Sequence, residues 1–404
     1  MSHRLLFLVP FVPRFDARHG GGRTVASLIR RLGERHEIAL VCLRGEREPG
    51  PDIILQSRCE IIEEVALPQG SSSPFLERVA RPLKLVGASP DRVVRTRTAS
   101  YAELARAVAE AFRPDVLQIE CVEMAQYLPA LAEVRASRVL VDHDPGLSAA
   151  TDYSLLAGGL RRFSRRLDAI AWERFSRHAF AAVDRLVVFT DRDRESLAPL
   201  AGDTRIETIP LSVELPSRPL DPRGAEPPTV LFFGDYLHAP NSDAADRLMG
   251  TIMPRVRRSH PDARLELVGA HPTPTMVSDS GDGVAVRGPV ESVTPYLDRA
   301  AVVAAPLRLG GGMRVKVLET LAAGKALVAS SRAVEGLELS SGEHAIVTDD
   351  DDEFAEAVSS LLADEERRVA LASAARRWAQ DELRWEPSVA AYEGLYGELL
   401  ADRE

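Results

Sequence analysis

The stretch PLRLGGGMRVKVLETLAAGKALVAS, residues 306–330, gathers residue types that suit one kind of chemistry. Gly310, Gly311 and Gly312 follow an apolar strand. Met313, Arg314 and Lys316 then open a helix that carries Glu319 one turn on. Glycine lets a backbone take conformations closed to other residues and lets a ligand approach closely. A helix start offers unsatisfied N–H groups and the positive end of the helix dipole. Cations in that turn oppose the dipole, so placing them there costs a little stability unless an anion joins them. Glycines, helix start and two cations together describe a phosphate or diphosphate site. Arg314 can grip phosphate oxygens as a fork and Lys316 as a point charge. Glu319 is spaced to pair with Lys316 or to accept hydrogen bonds from sugar hydroxyls. The spacing fits neither the GxxxxGK[ST] loop nor the GxGxxG fingerprint. A plain glycine turn with a surface Lys–Glu pair is the bland alternative.

The elements that must hold these residues show in the hydropathy pattern. The chain has 404 residues, 45% of them hydrophobic, a net charge of −10 and an isoelectric point near 5.5. That length suits two ordinary domains, each with its own core. Apolar runs alternate with helical patterns: RLLFLVP (4–10), a helix with Val25, Leu28, Ile29 and Leu32 on one face, EIALVCL (37–43), a helix at 101–112, DVLQIE (115–120), a helix at 123–134, RVLVDHD (138–144) and RLVVFT (185–190). Such alternation implies a parallel sheet covered on both faces. The proline-rich ELPSRPLDPRGAEPP (214–228) reads as a linker. The alternation then restarts with TVLFFGD, a helix near 242–258, RLELVGA, GVAVRG, VVAAPL, the glycine loop, ALVAS and AIVTDD, and helices at 353–380 and 386–402 close the chain. Two Rossmann-like domains facing a cleft are expected, with ligands at the C-terminal ends of the strands.

Charge and cysteine bound the rest. Residues 1–211 carry a net +2 and residues 212–404 a net −12. Lysine occurs only at 84, 316 and 325, so two of the three lie in the opening stretch. The acidic balance gives no ground for a nucleic-acid partner. Three cysteines, none in a CxxC, suit a reduced, cytoplasmic chain without a disulfide frame or a zinc site. No stretch approaches the ~20 apolar residues of a membrane span. TDDDDE (348–353) reads as a helix N-terminus with favourable dipole pairing, not a metal site.

VLETLAAGKALVAS closely resembles the second half of the E-G-F-G-x-x-x-x-E-A-x-A-x-G-x-P-V-V signature of the retaining glycosyltransferases of family 4, and GGGxRxKxLE resembles a variant of its first half. Gly20–Gly22, FFGDYLHAPNSDA, RLELVGA, VRGPVES and the Trp385 helix fall where that family has counterparts, so the resemblance spans the chain. It implies a GT-B fold: residues 1–211 holding the acceptor, 212–385 the nucleotide sugar, and 386–404 a helix returning to the first domain. It implies that Glu319 binds the donor ribose and that Gly310, Gly311, Gly312, Met313, Arg314 and Lys316 meet the diphosphate. Gly311 stands where the family's first glutamate contacts the donor sugar. The Arg314/Lys316 pair stands in for basic residues that many relatives carry early in the second domain, where this chain has Arg247 but no lysine.

The resemblance also points to the loop ARHGGGRT (17–24), whose Gly21, Gly22 and Arg23 would meet the diphosphate from across the cleft. His143, ending a strand, would face the donor sugar; a bond to Asp142 or Asp144 is its alternative. Gly288 and Val290 would lie against the base, Asp235 and Asn241 would face the cleft, and Glu120 would stand on the acceptor side. The implied reaction is metal-independent hexosyl transfer from a nucleotide-diphosphate sugar to a glycan, lipid-linked or small-molecule acceptor, with no cofactor and with retention. A nucleotide-sugar 2-epimerase and a non-catalytic nucleotide-sugar-binding module share the fold. The arginine-rich helix 155–178, with Leu160, Phe163, Leu167 and Ile170 in a stripe beside Arg161, Arg162, Arg165 and Arg166, suggests peripheral contact with an anionic membrane, aided by Lys84, Arg92, Arg95 and Arg97.

Overall fold

The computed structural model describes residues 2–17, 19–46, 48–67, 89–143, 159–281, 283–312 and 314–403; in the helix that begins at 159, side chains are described from Arg166 onward. Met313, Lys84, Asp144 and the stripe side chains before Arg166 lie outside the described residues.

The chain forms two wholly parallel sheets. The first holds β1 (Arg4–Val9), β2 (Glu37–Arg44), β3 (Ile61–Ala66), β4 (Val116–Glu120), β5 (Ser137–Val141), β6 (Arg185–Val188) and β7 (Arg205–Thr208), in the order β3-β2-β1-β4-β5-β6-β7. The second holds β8 (Thr229–Phe233), β9 (Arg264–Val268), β10 (Val284–Arg287), β11 (Val302–Ala305), β12 (Leu327–Ala329) and β13 (Ile346–Val347), in the order β10-β9-β8-β11-β12-β13. The central strands are continuous apolar runs because helices cover both their faces; Leu5 to Val9 and Val230 to Phe233 are all buried. Each sheet reverses its strand order once, between β1 and β4 and between β8 and β11. At those reversals the loops diverge and leave a crevice at the carboxyl ends. Both glycine loops leave strands that stand at a reversal, one after β1 and the other after β11.

The main helices are α1 (Gly20–Leu32), α2 (Ala99–Phe112), α3 (Gly159–Ala181), α4 (Asp191–Ala201), α5 (Ala239–Arg247), α6 (Val315–Ala322), α7 (Asp351–Ala363), α8 (Glu365–Glu382) and α9 (Trp385–Ala401). α1 buries Val25, Leu28, Ile29 and Leu32 as its periodicity requires. Asp350 caps α7 by accepting from the Asp352 and Glu353 N–H groups, the role expected of TDDDDE.

Several elements depart from their sequence pattern. The helix expected at 123–134 is a 3₁₀ run, Val122–Leu131, with Pro129 inside it; proline has no N–H to give an α-helical ladder. The helix near 242–258 is three pieces, because a five-residue π turn, Leu248–Ile252, separates α5 from a short helix at Met253–Ser259. The pattern at 353–380 is two helices, broken at Asp364, which caps α8. β3 and β7 are edge strands with mixed polarity, so their sequences carry little strand signal.

The proline-rich segment 214–228 is not loose. Lys325, fully buried, donates to the carbonyls of Asp221 and Asp298. Arg376 reaches the carbonyls of Ala322 and Pro216, and Arg368 those of Pro222 and Arg223. Buried cations on the second domain thus strap the segment down. α9 then crosses back and packs on α1 and β5.

Candidate active site

α1 and α6 begin at the two glycine loops, and their N-terminal ends meet across the cleft. A Cβ on Gly20 would lie 2.4 Å from the Val315 Cβ and within 2.7 Å of both its γ carbons. Only glycine permits this approach. Around the meeting point lies a cavity of about 1040 Å³, lined from both domains. That is at the upper end of the size range of small-molecule sites. Gly21, Arg23, His143, Asp235, Val290, Gly311, Arg314, Lys316 and Glu319 all line it.

Lys316 enters the first turn of α6 and points back under β8. Its Nζ bonds the Asn241 side-chain oxygen and stands 4.4 Å from the centre of the Phe232 ring. Asn241 in turn donates to the Asp235 carbonyl at 2.7 Å. A Cβ on Gly234 would fall 2.8 Å from the Lys316 Nζ, so Gly234 leaves the room that the ammonium fills. Burial, and secondarily Arg314, pushes the lysine down to about 7. The stretch that follows β8, residues 234–247, has no lysine of its own, and Lys316 of α6 reaches Asn241 within it. Arg247, the basic residue of that stretch, is buried and props the loop instead. It pairs with Asp351 at 2.5 Å and donates to the carbonyls of Pro306 at 3.0 Å and Asp349 at 2.6 Å.

Arg314 does not project freely. Its fork donates to the Gly310 carbonyl at 2.6 Å and the Gly312 carbonyl at 3.0 Å, and also to Gly311. It therefore shapes the glycine loop, in which Gly310 and Gly312 have φ of +96° and +71°. No side chain caps α6. Glu319 does not pair with Lys316, as its spacing suggested. It pairs with Arg23 of the first domain, at 2.6 and 2.7 Å, because the tertiary fold brings α1 closer than the side chain one turn back on α6. Arg23 also donates to the Ala17 carbonyl.

His143 bonds Glu120 through Nε2 at 2.5 Å, a partner its sequence neighbours did not suggest. Its ring meets Phe189 edge-on, with centroids 5.0 Å apart. Glu120 is buried behind it and does not line the cavity. Beside them stands His19, which sequence reading passed over. It caps α1 by accepting from the Gly22 N–H at 3.1 Å. Histidine is outside the usual set of capping residues, Ser, Thr, Asp and Asn. Burial, then Arg23, pushes His19 down to about 4, so it is neutral at physiological pH.

Other candidates fall elsewhere. Gly22 is buried, its N–H taken by His19, and it does not line the cavity. Gly288 is also outside the lining, and a Cβ there would touch nothing, while Val290 beside it faces the cavity. Asp235 lines the cavity, but its carboxylate already accepts from the Leu237 N–H and bonds His271 at 2.9 Å. Asp-x-Asp occurs at 142–144, at 191–193 and within the run 349–352, whose Asp350 caps α7. Asp193 bonds the Thr190 hydroxyl and Asp191 the Thr208 hydroxyl, as parts of a helix start. Among the described residues no group of three or more His, Cys, Asp or Glu could hold a metal ion.

Comparison with known proteins fits this geometry. Residues 18–215 match the model for "Glycosyltransferase Family 4" and residues 227–364 that for "Glycosyl transferases group 1", one match on each domain. Sucrose-phosphate synthase from Thermosynechococcus elongatus superposes with a TM-score of 0.73 at 16% identity, covering 99% of this chain and 100% of that one. The fold is that of a GT-B glycosyltransferase. Anabaena HepE, solved with UDP and glucose, gives the GT-B chain a TM-score of 0.65 at 12% identity, again over 99% and 100%. In sequence, the GDP-mannose-dependent alpha-(1-6)-phosphatidylinositol monomannoside mannosyltransferase of Mycolicibacterium smegmatis is 34% identical over 149 residues. That match spans 33% of the GT-B chain and 39% of the mycobacterial enzyme.

Proposed function

We propose that the chain is a retaining hexosyltransferase that moves a sugar from a nucleotide-diphosphate sugar to a glycan, lipid-linked or small-molecule acceptor. The carrying observation is the meeting of α1 and α6 at one cavity, with Lys316 set between Asn241 and the Phe232 ring beside the glycine loop. The diphosphate lies between the two helix starts, the ribose at Glu319 and the base near Val290. Breaking the bond between the sugar C1 and the phosphate oxygen leaves negative charge on that oxygen. Lys316 and the amides of α6 meet the charge as it develops, where electrostatic stabilisation has most effect. Arg314 holds the loop that presents those amides and swings toward the phosphates once they enter. The acceptor hydroxyl attacks C1 on the face the phosphate leaves, and its proton passes to the departing oxygen. Protein cations take the part a divalent metal plays elsewhere, so the reaction needs none. The donor binds with Glu319 exchanging Arg23 for the ribose hydroxyls, which frees Arg23 for the diphosphate. His143 faces the donor sugar.

Relatives support a nucleotide-sugar donor: HepE is solved with UDP and glucose, and the mycobacterial relative is named as GDP-mannose-dependent. The chain works in the cytoplasm, with weak contact at the inner membrane face through its mildly basic first domain. The test is a thermal-shift screen against UDP-, GDP- and ADP-sugars, followed by product analysis with an acceptor panel. A ligand that binds only the folded state raises stability by RT ln(1 + [L]/Kd). A shift with one base series and a glycosylated product is expected. No shift with any series removes the proposal, and a donor isomer as sole product replaces it with epimerisation.

A further inference from the structure

Three buried polar side chains stand in a row behind His143. Gln118 and Glu120 lie two residues apart on β4, so both project to the same face of the sheet. That face receives α9, which brings Tyr396. All three side chains are essentially inaccessible to solvent. Tyr396 Oη donates to Gln118 Oε1, Gln118 Nε2 donates to Glu120 Oε1 at 2.6 Å, and Glu120 Oε2 meets His143 Nε2 at 2.5 Å.

With Glu120 as a carboxylate, the order of donors in this row has one solution. A carboxylate only accepts, so the side chains that bond Glu120 must donate to it. The Gln118 amide must then turn its NH₂ toward Glu120, which leaves its oxygen for a donor. The Tyr396 hydroxyl is that donor. Burial drives its phenol far above the usual range, with Tyr392 and Glu120 adding to the effect, so it keeps its proton at every working pH. At the far end His143 Nε2 must carry a hydrogen. The other ring nitrogen, Nδ1, lies 3.8 Å from the place of a Cβ on Gly21, on the cavity side. The fold therefore presents Nδ1 to whatever occupies the cavity.

We propose that Tyr396 and Gln118 are positioning residues: through Glu120 they fix the ring orientation and the Nε2–H tautomer of His143, so that the C-terminal helix completes the active site of the first domain. Neither touches the cavity. Without the hydroxyl of Tyr396 the amide of Gln118 is free to invert, which would turn its oxygen against Glu120 and loosen the grip on His143. Other charged or titratable groups near the ring are His19 and Arg23 on and beside the α1 loop, Asp142 next in sequence, and Arg92, Cys121 and Glu123 around the end of β4. None of them lies in the row; Tyr392 and Glu393 flank Tyr396 on α9, and the hydrogen-bonded path from Tyr396 to His143 runs through Gln118 and Glu120. The catalytic part rests on the transferase reading above; the tautomer part does not.

The test uses the full chain labelled with ¹⁵N-histidine. Comparison with a His143→Gln variant assigns the ring signals. In the unaltered chain His143 should show one signature, with a hydrogen held on Nε2. Tyr396→Phe should replace that single signature with mixed tautomers. It should also lower kcat on the order of tenfold, the scale on which orienting partners act, with KM for the donor unchanged. Gln118→Met interrupts the row at its next link and should give the same change, which keeps the test decisive if Tyr396→Phe does not fold. An unaltered His143 signature in a folded Tyr396→Phe or Gln118→Met chain overturns the proposal. If the unaltered chain turns over no nucleotide sugar, the transferase reading fails, and the ring signals still decide the tautomer.

Discussion

Lys316 is the residue at which pH should act. Its folded value of about 7 lies below the ordinary 10.5. Below pH 7 the folded and unfolded chains both hold the proton, and the cost of burying the charge is carried in full. Between pH 7 and 10.5 the unfolded chain holds a proton that the folded one has shed, so stability rises with pH across that window. A diphosphate beside the ammonium returns the proton. Nucleotide-diphosphate binding at pH 8 should therefore take up protons and weaken as pH rises. Calorimetry in two buffers of different ionisation enthalpy measures this, and Lys316→Met should abolish it; no uptake in the unaltered chain would remove Lys316 from the anion site. Arg314 and Lys316 together should matter more than either alone. Charge-assisted contacts are worth ~2 kcal/mol each in a closed site. The double change to alanine should abolish transfer while circular dichroism stays native. Full turnover in the folded double variant would refute their assigned role.

At the scale of elements, the contact of α1 with α6 sets the site. Gly20→Ala would put a methyl group inside the Val315 side chain, which is β-branched and cannot swing clear. The helices must part, and a displacement of about 1 Å at a catalytic site can cost on the order of 100-fold in rate. Each domain should stay folded, since Gly20 sits at a helix end outside the sheet cores. Kinetics of Gly20→Ala against a Gly20→Ala/Val315→Gly pair checks this, since glycine at 315 removes the Cβ 2.4 Å away as well as both γ carbons. Rescue by the second change is expected; an active Gly20→Ala chain would show that the two starts need not meet. α1 and α6 were legible as helices from glycines and periodicity. That their ends touch was not, because Gly20 and Val315 lie far apart in sequence and only the packing of two domains joins them.

At the scale of the whole molecule, two expectations follow from charge. Activity should survive EDTA, because Lys316, Arg314 and the helix amides supply the positive charge; a loss restored by Mg²⁺ or Mn²⁺ would contradict the mechanism proposed above. The first domain should bind anionic vesicles weakly at low salt, each basic group contributing up to ~1 kcal/mol. The described arginines temper this: Arg92 pairs with Glu123, Arg95 with Asp91, and Arg97 bonds Gln126. Ile170 is 48% exposed, so the α3 stripe is not wholly a packing face. No described helix is long and apolar enough to cross a membrane. Co-sedimentation decides it, and equal pelleting with neutral and anionic vesicles would end the membrane proposal. The sequence by itself determined the two parallel sheets and the glycine loop with its cations, because apolar periodicity and glycine act over a few residues. It determined that TDDDDE (348–353) begins a helix for the same reason. Only the tertiary structure decided the partners: Arg23 for Glu319, Asn241 for Lys316, Glu120 for His143 and Tyr396 for Gln118. A long side chain can reach many neighbours, and which one it meets depends on how domains and crossing helices pack, a long-range balance of burial and hydrogen bonding that local spacing does not encode.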